Sequence, residues 1–405
     1  MLSDLPEPTL IEEQEALDEL VDLLAGEDEI AVDTEADSFF SYREKVCLIQ
    51  VTAAERDFLI DPLAGLDLSG LGPILADPGK IKIFHDGEYD VLILKRDFGF
   101  EFRGLFDTRI AAAALGSTSP GLAAVLHEHF GVELDKSMQR SNWGERPLSE
   151  KQIKYARLDT HFLQRLRANQ ERELEQRDRM KILKGECRRI ESLEARVVEF
   201  QADDWVRLKG ARALSPEARQ AARELAILRD ELACEQDVPL FRVMNNQTLL
   251  TVAAERPRSH QQLTDIHGIS WRQTRKIGDR VLDALQRAAD LGPLKDLPSV
   301  PSKSSTAGLD PYQVVLHERL SAWRRDRSQS EGIDASLVLN RHTLVRLVKG
   351  LPRTSEDLAG TEGLVVWQVE QFGQELLEVL RAYACDRAAG RIEVGRRSPR
   401  SQRRR

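Results

Sequence analysis

The 405-residue sequence lacks an apolar run of about 18 residues, the length that a membrane-spanning helix needs. Its first residues are acidic and lack the basic-then-apolar pattern of a secretory signal. The four cysteines stand far apart and form no CxxC pair, which argues against a zinc or disulfide framework and is typical of reducing compartments. We therefore expect a cytoplasmic protein that contacts no membrane.

The nucleotide-binding pattern GxxxxGK[ST] is also absent, so the chain is not itself a helicase. The net charge of −9 at first argues against a polyanionic partner. The charge is uneven, however, because residues 394–405 are rich in arginine and contain no acid. Local patches are thus a better guide to partners than the total charge. Length and a hydrophobic content of 41% predict two to four globular domains.

The pattern of apolar residues divides the chain into an α/β part and an all-helical part. It predicts a helix over residues 9–26 and a nearly continuous run of helices from Asp107 to about residue 190. Strands interleaved with helices favour an α/β domain, and no strand is predicted beyond residue 200. The predicted strands are 29–34, 45–52, 56–60 and 81–85.

The all-helical part contains an internal repeat with an offset of 95 residues (340 minus 245). An asparagine, a threonine, a proline and two glycines coincide without a gap, which chance rarely produces. We therefore predict two copies of one helical module. The coinciding pairs are Asn245 and Asn340, Thr248 and Thr343, Pro257 and Pro352, Gly268 and Gly363, and Gly278 and Gly373.

These patterns predict six segments. They are an α/β domain (1–190), a helical connector (191–214), a first helical module (215–292), a linker rich in Pro and Ser (293–310), a second module (311–385) and a basic disordered tail (386–405).

Two acids, Asp33 and Glu35, stand at the end of the predicted buried strand EIAVDTEA. Side chains alternate along a strand, so both carboxylates share one face, where like charges raise each other's pKa. Taken alone, an exposed strand end is the simpler interpretation.

Two further places carry candidate acids. Asp90 follows the strand that ends at His85 and lies among apolar helical residues. Its neighbours Asp86 and Glu88 are interpreted as first-turn acids, with Asp86 as the helix cap. Tyr155 and Asp159 are four residues apart and so share one helix face, although a core tyrosine and a surface acid would look the same.

Four carboxylates that converge cannot all stay ionised without cations. Hard oxygen ligands of this kind suit Mg²⁺ or Mn²⁺. Two such ions about 4 Å apart can clamp the attacking and leaving oxygens of a phosphodiester. We therefore predict a site for two divalent metal ions formed by Asp33, Glu35, Asp90 and Asp159, beside Tyr155.

The order DTE, HxxxxD and YxxxD resembles the three exonuclease motifs of the DEDD superfamily, tyrosine subclass. The segments VDTEADSFFSYREKVCLIQ, FDTRIAAAALG and RPLSEKQIKYARLDTHFL resemble the ribonuclease D family over about residues 10–190, and the two repeats resemble HRDC modules. The resemblance implies an α/β RNase H-like domain, with a mixed sheet and flanking helices, followed by two all-α HRDC domains.

The resemblance also implies a metal-dependent 3′–5′ exoribonuclease that releases 5′-mononucleotides, with tRNA precursors as its RNA substrates and a monomeric chain. By the same resemblance, Asp33 is expected to bridge both ions and Glu35 to bind one ion. Asp90 and Asp159 are expected to complete the two metal shells. Tyr155 orients the water, because a phenol with a pKa near 10 is a poor general base.

Further residues are candidates for contact with the substrate, and a structural role stays open for each. Gln50 and His85 are candidates for contact near the terminal nucleotide, whereas Lys136, Trp143 and Arg146 are candidates for contact along the nucleic-acid strand. Asp107 is interpreted as a helix cap only.

The two repeats differ in charge. Residues 268–286 carry four basic and two acidic residues, a balance of +2, whereas residues 363–381 carry one basic and three acidic residues, a balance of −2. Phosphate binding scales with local cations, so we predict that the first repeat faces RNA and the second is a spacer or an intramolecular brace. The cations are Arg272, Arg275, Lys276 and Arg280.

Two other functions stay open on the residues alone. A single-stranded DNA exonuclease in repair would carry the same motifs, since recognition of the 2′-OH depends on the shape of the pocket. A nucleic-acid-binding protein with a weak nuclease domain is disfavoured by the presence of all five motif residues.

Overall fold

The computed structural model describes residues 5–135, 137–195, 199–298 and 308–393. Its N-terminal half contains one mixed sheet of six strands in the order β1-β4-β3-β2-β5-β6. The pairs β2–β3 and β3–β4 are antiparallel, and the pairs β1–β4, β2–β5 and β5–β6 are parallel. The strands are β1 (Thr9–Ile11), β2 (Glu29–Ala36), β3 (Val46–Ala53), β4 (Arg56–Ile60), β5 (Ile81–Phe84) and β6 (Leu105–Asp107).

Eight helices flank this sheet, which confirms the predicted mixed sheet with flanking helices. They are α1 (Gln14–Gly26), α2 (Leu71–Ala76), α3 (Glu88–Phe98), α4 (Thr108–Leu115), α5 (Leu122–Phe130), α6 (Glu150–His161), α7 (Leu163–Gln176) and α8 (Met180–Glu191).

The two edge strands differ from the sequence prediction. Residues 9–26 are not one helix, because Thr9–Ile11 pairs with β4 before α1 begins. The strand β6 was not predicted and pairs with β5. Three-residue strands carry too little periodicity to recognise, and their partners are distant in the sequence.

The C-terminal half consists of two five-helix modules, and the predicted repeat is confirmed helix by helix. The first four helices of each module begin and end 95 residues apart, and the fifth pair begins 95 residues apart. The first module has α9 (Pro216–Gln236), α10 (Leu240–Val243), α11 (Asn246–Glu255), α12 (His260–Thr264) and α13 (Trp271–Leu291). The second has α14 (Pro311–Glu331), α15 (Ala335–Val338), α16 (Arg341–Gly350), α17 (Ser355–Ala359) and α18 (Val366–Ala388).

Parts of four predicted segments lie outside the described residues. They are residues 299–307 of the linker and residues 394–405 of the tail, and residues 1–4 and 136 of the α/β domain and 196–198 of the connector also lie outside. The helix α18 continues to Ala388, three residues into the segment predicted as tail.

The residues shared by the two modules have structural roles. The side chain of Asn245 caps α11 by accepting a hydrogen bond from the backbone N–H of Thr248. Gly268 has a left-handed φ of 96°, and a Cβ there would lie 2.2 Å from Oγ1 of Thr248. The corresponding residues of the second module are Asn340, Thr343 and Gly363, with the same cap, a φ of 82° and a Cβ distance of 2.7 Å.

The second module packs directly onto the α/β domain, and the two share one continuous hydrophobic core. The indole of Trp367 on α18 lies against Gly185 of α8. The guanidinium of Arg179 donates hydrogen bonds to the backbone carbonyls of Glu331 and Gly332. These contacts support the interpretation of this module as an intramolecular brace.

The first module has its own hydrophobic core and meets the α/β domain at the loop after β2. The Tyr42 hydroxyl donates to Asp230 Oδ1 at 2.8 Å, and the Tyr42 N–H donates to Asp237 Oδ1 at 3.1 Å. The guanidinium of Arg242 lies 4.5 Å from the ring centroid of Phe40. The first module is therefore fixed next to the strand that carries Asp33 and Glu35.

None of the helices within the described ranges combines the length and apolar character that crossing a membrane requires.

The docking of the second module predicts the effect of Gly185→Ala. Alanine favours a helix interior by about 0.5–1 kcal/mol over glycine, but here its methyl would lie 2.3 Å from Cδ1 of Trp367. We expect Gly185→Ala to destabilise the protein by about 1–3 kcal/mol, measured by thermal unfolding. In a Trp367→Ala background the same change should be neutral or stabilising. Equal stability of Gly185→Ala and the wild type would contradict the packing.

Candidate active site

The central strand β2 carries the first two acids of the site. Its residues Ala31 and Val32 are buried, and Asp33 and Glu35 follow them on one face. The parallel neighbour β5 leads into α3, which carries Asp90 in its first turn. Parallel strands end at the same edge of a sheet. Asp90, in the helix that follows β5, therefore lies beside the end of β2.

The helix α6 carries Tyr155 and Asp159 and is held on the sheet by a buried polar cluster. Ser149 and Gln152 form a capping box that fixes where α6 begins. On its sheet-facing side, Arg157 donates to Asp57 Oδ2 at 2.7 Å, and the ring of His161 lies 2.9 Å from the same oxygen. Asp57 thereby fixes the rotation of α6 that directs Asp159 toward β2.

The structure brings three of the predicted carboxylates into one potential metal site. Carboxylate oxygens of Asp33, Glu35 and Asp159 lie within 4.8 Å of one another. Asp90 is buried beside them, and its Oδ1 accepts a hydrogen bond from the hydroxyl of Thr34. Thr34 is a residue of the DTE motif whose role the sequence did not reveal.

Burial raises the pKa of all four carboxyls, and repulsion within the cluster adds to it for Asp33, Glu35 and Asp159. Burial, then Asp159 and Asp90, raises the pKa of Glu35 to about 9, and burial with Asp90 raises that of Asp159 to about 8. Burial raises the pKa of Asp90 to about 6 against the opposing hydrogen bond from Thr34. The pKa of Asp33 lies well above its usual range for the same reasons. Oxygen ligands that repel one another in this way fit a hard divalent cation.

Tyr155 stands next to these acids as a neutral phenol. Burial, then Asp159 and Glu35, raises its pKa well above the usual range. Its ring packs on Trp143 with centroids 6.0 Å apart. The side chain is therefore a fixed O–H donor and not a base.

The extra acids around Asp90 belong to ion pairs outside the metal cluster. Asp86 lies 3.5 Å from Arg109, and Glu88 lies 2.8 Å from Arg189. The prediction that Asp86 caps α3 is wrong: the N-cap is Gly87, and no side chain caps this helix. Asp86 has a left-handed φ of 66°, and the carboxylate of Asp107 accepts its backbone N–H.

Asp107 is confirmed as the cap of α4 and also holds the turn before α3. Its Oδ1 accepts the N–H groups of Arg109 and Ile110, and its carboxylate also accepts those of Asp86 and Gly87. One buried side chain thus ties the beginning of α4 to the turn that positions Asp90.

Gln50 and His85 lie close to the acids but are largely enclosed. Gln50 stands directly across from Asp33 in the β2–β3 pair and is fully buried, and its side-chain amide has no protein partner among the described residues. The Nδ1 of His85 lies 2.8 Å from the hydroxyl of Thr108, and burial lowers the His85 pKa to about 4. Both side chains are neutral, and Gln50 lies on the same face of the sheet as Asp33.

The three other substrate candidates differ in position. Trp143 is 1% exposed and supports Tyr155. The guanidinium of Arg146 donates to Asp61 and to the backbone carbonyls of Cys47 and Trp143, so its donors are used within the fold. Lys136 lies outside the described residues.

A small cavity of about 200 Å³ opens beside the acids. Two lysines that the sequence analysis did not predict line this cavity. Lys151 and Lys154 line it together with Tyr155 and Asp159, and Leu134 contributes to its apolar side. Their positions four and one residues before Tyr155 in KQIKY were the available signal.

The basic patch predicted on the first module is only partly free. Arg280 pairs with Glu235 at 2.6 Å and with Glu231 at 3.3 Å, two acids of α9. Lys276 donates to the amide oxygen of Gln236, and Arg272 is exposed.

Comparisons with known proteins agree with this architecture. A family model described as 3′-5′ exonuclease matches residues 8–175, and the HRDC domain model matches residues 218–285 and 313–380. The fold and the acidic site thus define a 3′–5′ exonuclease followed by two HRDC domains.

Relatives along the whole length make the assignment specific. Ribonuclease D of Sphingobium indicum is 31% identical over 92% of this chain and 94% of its own length, and that of Haemophilus influenzae is 29% identical over 93% of each. The crystal structure of Escherichia coli RNase D matches with a TM-score of 0.69 and 29% identity, over 93% of this chain and all of that one. The chain belongs to the ribonuclease D family and is a 3′–5′ exoribonuclease. Its acidic cluster fits the divalent metals that this family implies.

The raised pKa values predict how stability depends on pH. Without metal, the folded protein keeps protons on Glu35 and Asp159 that the unfolded chain releases near pH 4. Stability of the metal-free protein should therefore fall as pH rises from about 4 to about 9. We expect Asp159→Asn to make the fall shallower in denaturant unfolding at several pH values. Parallel curves for the two proteins would contradict the assigned pKa shifts.

Proposed function

We propose that this exoribonuclease binds two divalent ions, Mg²⁺ or Mn²⁺, through Asp33, Glu35, Asp90 and Asp159. We further propose that it acts as a monomer that removes 5′-mononucleotides from the 3′ ends of RNA, with tRNA precursors as substrates. The observation that carries the proposal is the convergence of the carboxylates on one partly buried cluster. The E. coli structure is described as that of an exoribonuclease involved in structured RNA processing, which supports the choice of substrate.

The four acids divide into two groups in this proposal. Asp33, Glu35 and Asp159 form the group whose oxygens already lie close together, and Asp33, whose pKa Asp90 also raises, would bind both ions. Bound ions would neutralise charge on the phosphate and lower the pKa of the attacking water.

Tyr155 orients that water through its phenol. With its pKa held high by burial and three carboxylates, it keeps its proton at neutral pH and stays a hydrogen-bonding group. The packing of Trp143 behind the ring limits its movement, which is what a positioning group requires.

Lys151 and Lys154 supply positive charge where the RNA enters. Both line the cavity that Tyr155 and Asp159 share, and Leu134 and Leu158 add apolar surface there. This combination suits a nucleotide, whose base takes the apolar side and whose phosphate takes the lysines.

Digestion of matched RNA and DNA tests the proposal. The protein would be given a 3′-extended tRNA, a single-stranded RNA and a DNA of the same sequence, with Mg²⁺, Mn²⁺ or EDTA. We expect mononucleotides from the RNA substrates, arrest near the mature tRNA end, and no digestion in EDTA. Equal or faster digestion of the DNA would contradict the substrate class, and release of oligonucleotides would contradict the exonucleolytic mode.

Asp90→Asn should abolish digestion and leave the fold intact. Asparagine can still accept the hydrogen bond from Thr34, and loss of one carboxylate reduces the repulsion in the metal-free cluster. The rate is measured on a 5′-labelled RNA, with thermal unfolding as the check on folding. A folded Asp90→Asn protein that trims at the wild-type rate would remove Asp90 from the metal site.

Tyr155→Phe should behave differently, because it removes a positioning hydroxyl and no metal ligand. We expect turnover to fall about 10²-fold, the usual effect of losing one positioned catalytic group. The concentration of Mn²⁺ at half-maximal rate should stay within about twofold of wild type. A large increase in that concentration would mean that Tyr155 supports the metal ligands instead.

A further inference from the structure

The helix α13 of the first module begins with an aromatic residue that faces solvent. Trp271 is 64% exposed, more than any other aromatic side chain in the described part of the chain. The guanidinium carbon of Arg275, one helical turn later, lies 5.0 Å from the centroid of the indole. A cation at this distance from an indole holds the ring in place by cation–π attraction, and the opposite face of the ring can stay open.

The charge around this indole is mainly positive. Arg272 is exposed, and Lys276 donates a hydrogen bond to the neutral amide of Gln236. Within the described residues, no ion pair neutralises either cation. Asp279, the nearest acid along α13, lies 3.0 Å from His260. Arg280 is paired with α9 and is therefore not part of this surface.

The second module differs from the first at the equivalent positions. Its equivalent residues begin at Val366, and the next one, Trp367, is buried against Gly185 of the catalytic domain. Where the first module has Arg275 and Arg280, the second has Glu370 and Glu375. Val366, the counterpart of Trp271, is 74% exposed, so both modules leave this position open, but only the first has an aromatic ring with basic neighbours there.

We propose that Trp271 and Arg275 form a base-stacking platform for single-stranded RNA, with Arg272 and Lys276 as contacts to its phosphates. The proposal rests on the RNA substrate proposed above and names where a nucleotide upstream of the 3′ end binds. An exposed indole offers a flat apolar face that any base can stack on, and flanking cations attract the phosphates. A protein partner for the same face is an alternative that the test below separates.

The platform is held in a fixed place relative to the catalytic strand. Lys276 contacts Gln236 at the end of α9, and the next residue, Asp237, accepts the N–H of Tyr42. Tyr42 lies in the loop after β2, the strand of Asp33 and Glu35. An RNA base on Trp271 would therefore be bound by a module that is fixed to the active-site loop.

Tryptophan fluorescence provides a direct readout. Trp143, Trp205 and Trp367 are buried and Trp323 is partly buried, so quenching by added RNA reports chiefly on Trp271. The titration uses the full chain in EDTA, with a single-stranded RNA of about 15 nucleotides and an abasic strand of the same length. We expect the RNA to quench the fluorescence, and the abasic strand to bind without quenching.

Variants separate stacking from charge. Trp271→Leu should bind the RNA about tenfold more weakly, with an unchanged slope of log K against log salt, and should bind the abasic strand as wild type does. Arg272→Ala with Lys276→Ala should make that slope shallower for both strands. Val366→Ala, at the equivalent position of the second module, is the matched control and should leave affinity unchanged.

Three results would overturn the platform. The first is that folded Trp271→Leu binds RNA with wild-type affinity, and the second is that the abasic strand quenches the fluorescence as much as the RNA does. The third is that RNA does not quench the fluorescence while the protein self-associates through a contact that Trp271→Leu abolishes. Digestion of a trinucleotide, which is too short to span both sites, serves as the separate test of catalysis. If Trp271→Leu digests the trinucleotide normally and still binds long RNA as wild type does, the platform fails and the proposed function stands. If wild type digests no RNA, the proposed function fails whatever the fluorescence shows.

Discussion

Mutual repulsion among buried carboxylates is the constraint on which the catalytic half of this protein depends. Asp33, Glu35 and Asp159 are held within a few ångströms of each other, and Asp90 is buried beside them. Burial raises all four pKa values, and repulsion adds to the effect. Without bound cations, ionisation of the whole cluster is therefore unfavourable. Such a cluster lowers the stability of the metal-free fold near neutral pH.

The rest of the domain holds these acids against that repulsion. Asp57 fixes α6 through Arg157 and His161, and Asp107 ties the turn before α3 to the beginning of α4 by accepting two backbone N–H groups from each. The two HRDC modules extend this rigidity outward. One packs on the back of the domain through Trp367, and the other is bonded to the loop after β2 through Tyr42. The same module fold therefore serves as a brace in one copy and leaves a basic face open in the other.

Much of this was predictable from the sequence, because the informative patterns are local. The acids of β2, the i and i+4 pair on α6 and the gap-free repeat each depend on residues close together in the chain. The three-residue strands β1 and β6, the bond from Thr34 to Asp90 and the internal bonding of Arg146 depend on partners far away in sequence. Charge counted along α13 alone also overlooked the acids of α9 that pair with Arg280.

We expect the carboxyls to hold protons near neutral pH and to release them to the buffer when divalent ions bind. Isothermal titration calorimetry with Mn²⁺ at pH 7, in two buffers with different ionisation enthalpies, measures this release directly. We predict a binding enthalpy that depends on the buffer, because the carboxyls with raised pKa values lose protons when Mn²⁺ binds. Mn²⁺ binding with the same enthalpy in both buffers would contradict it.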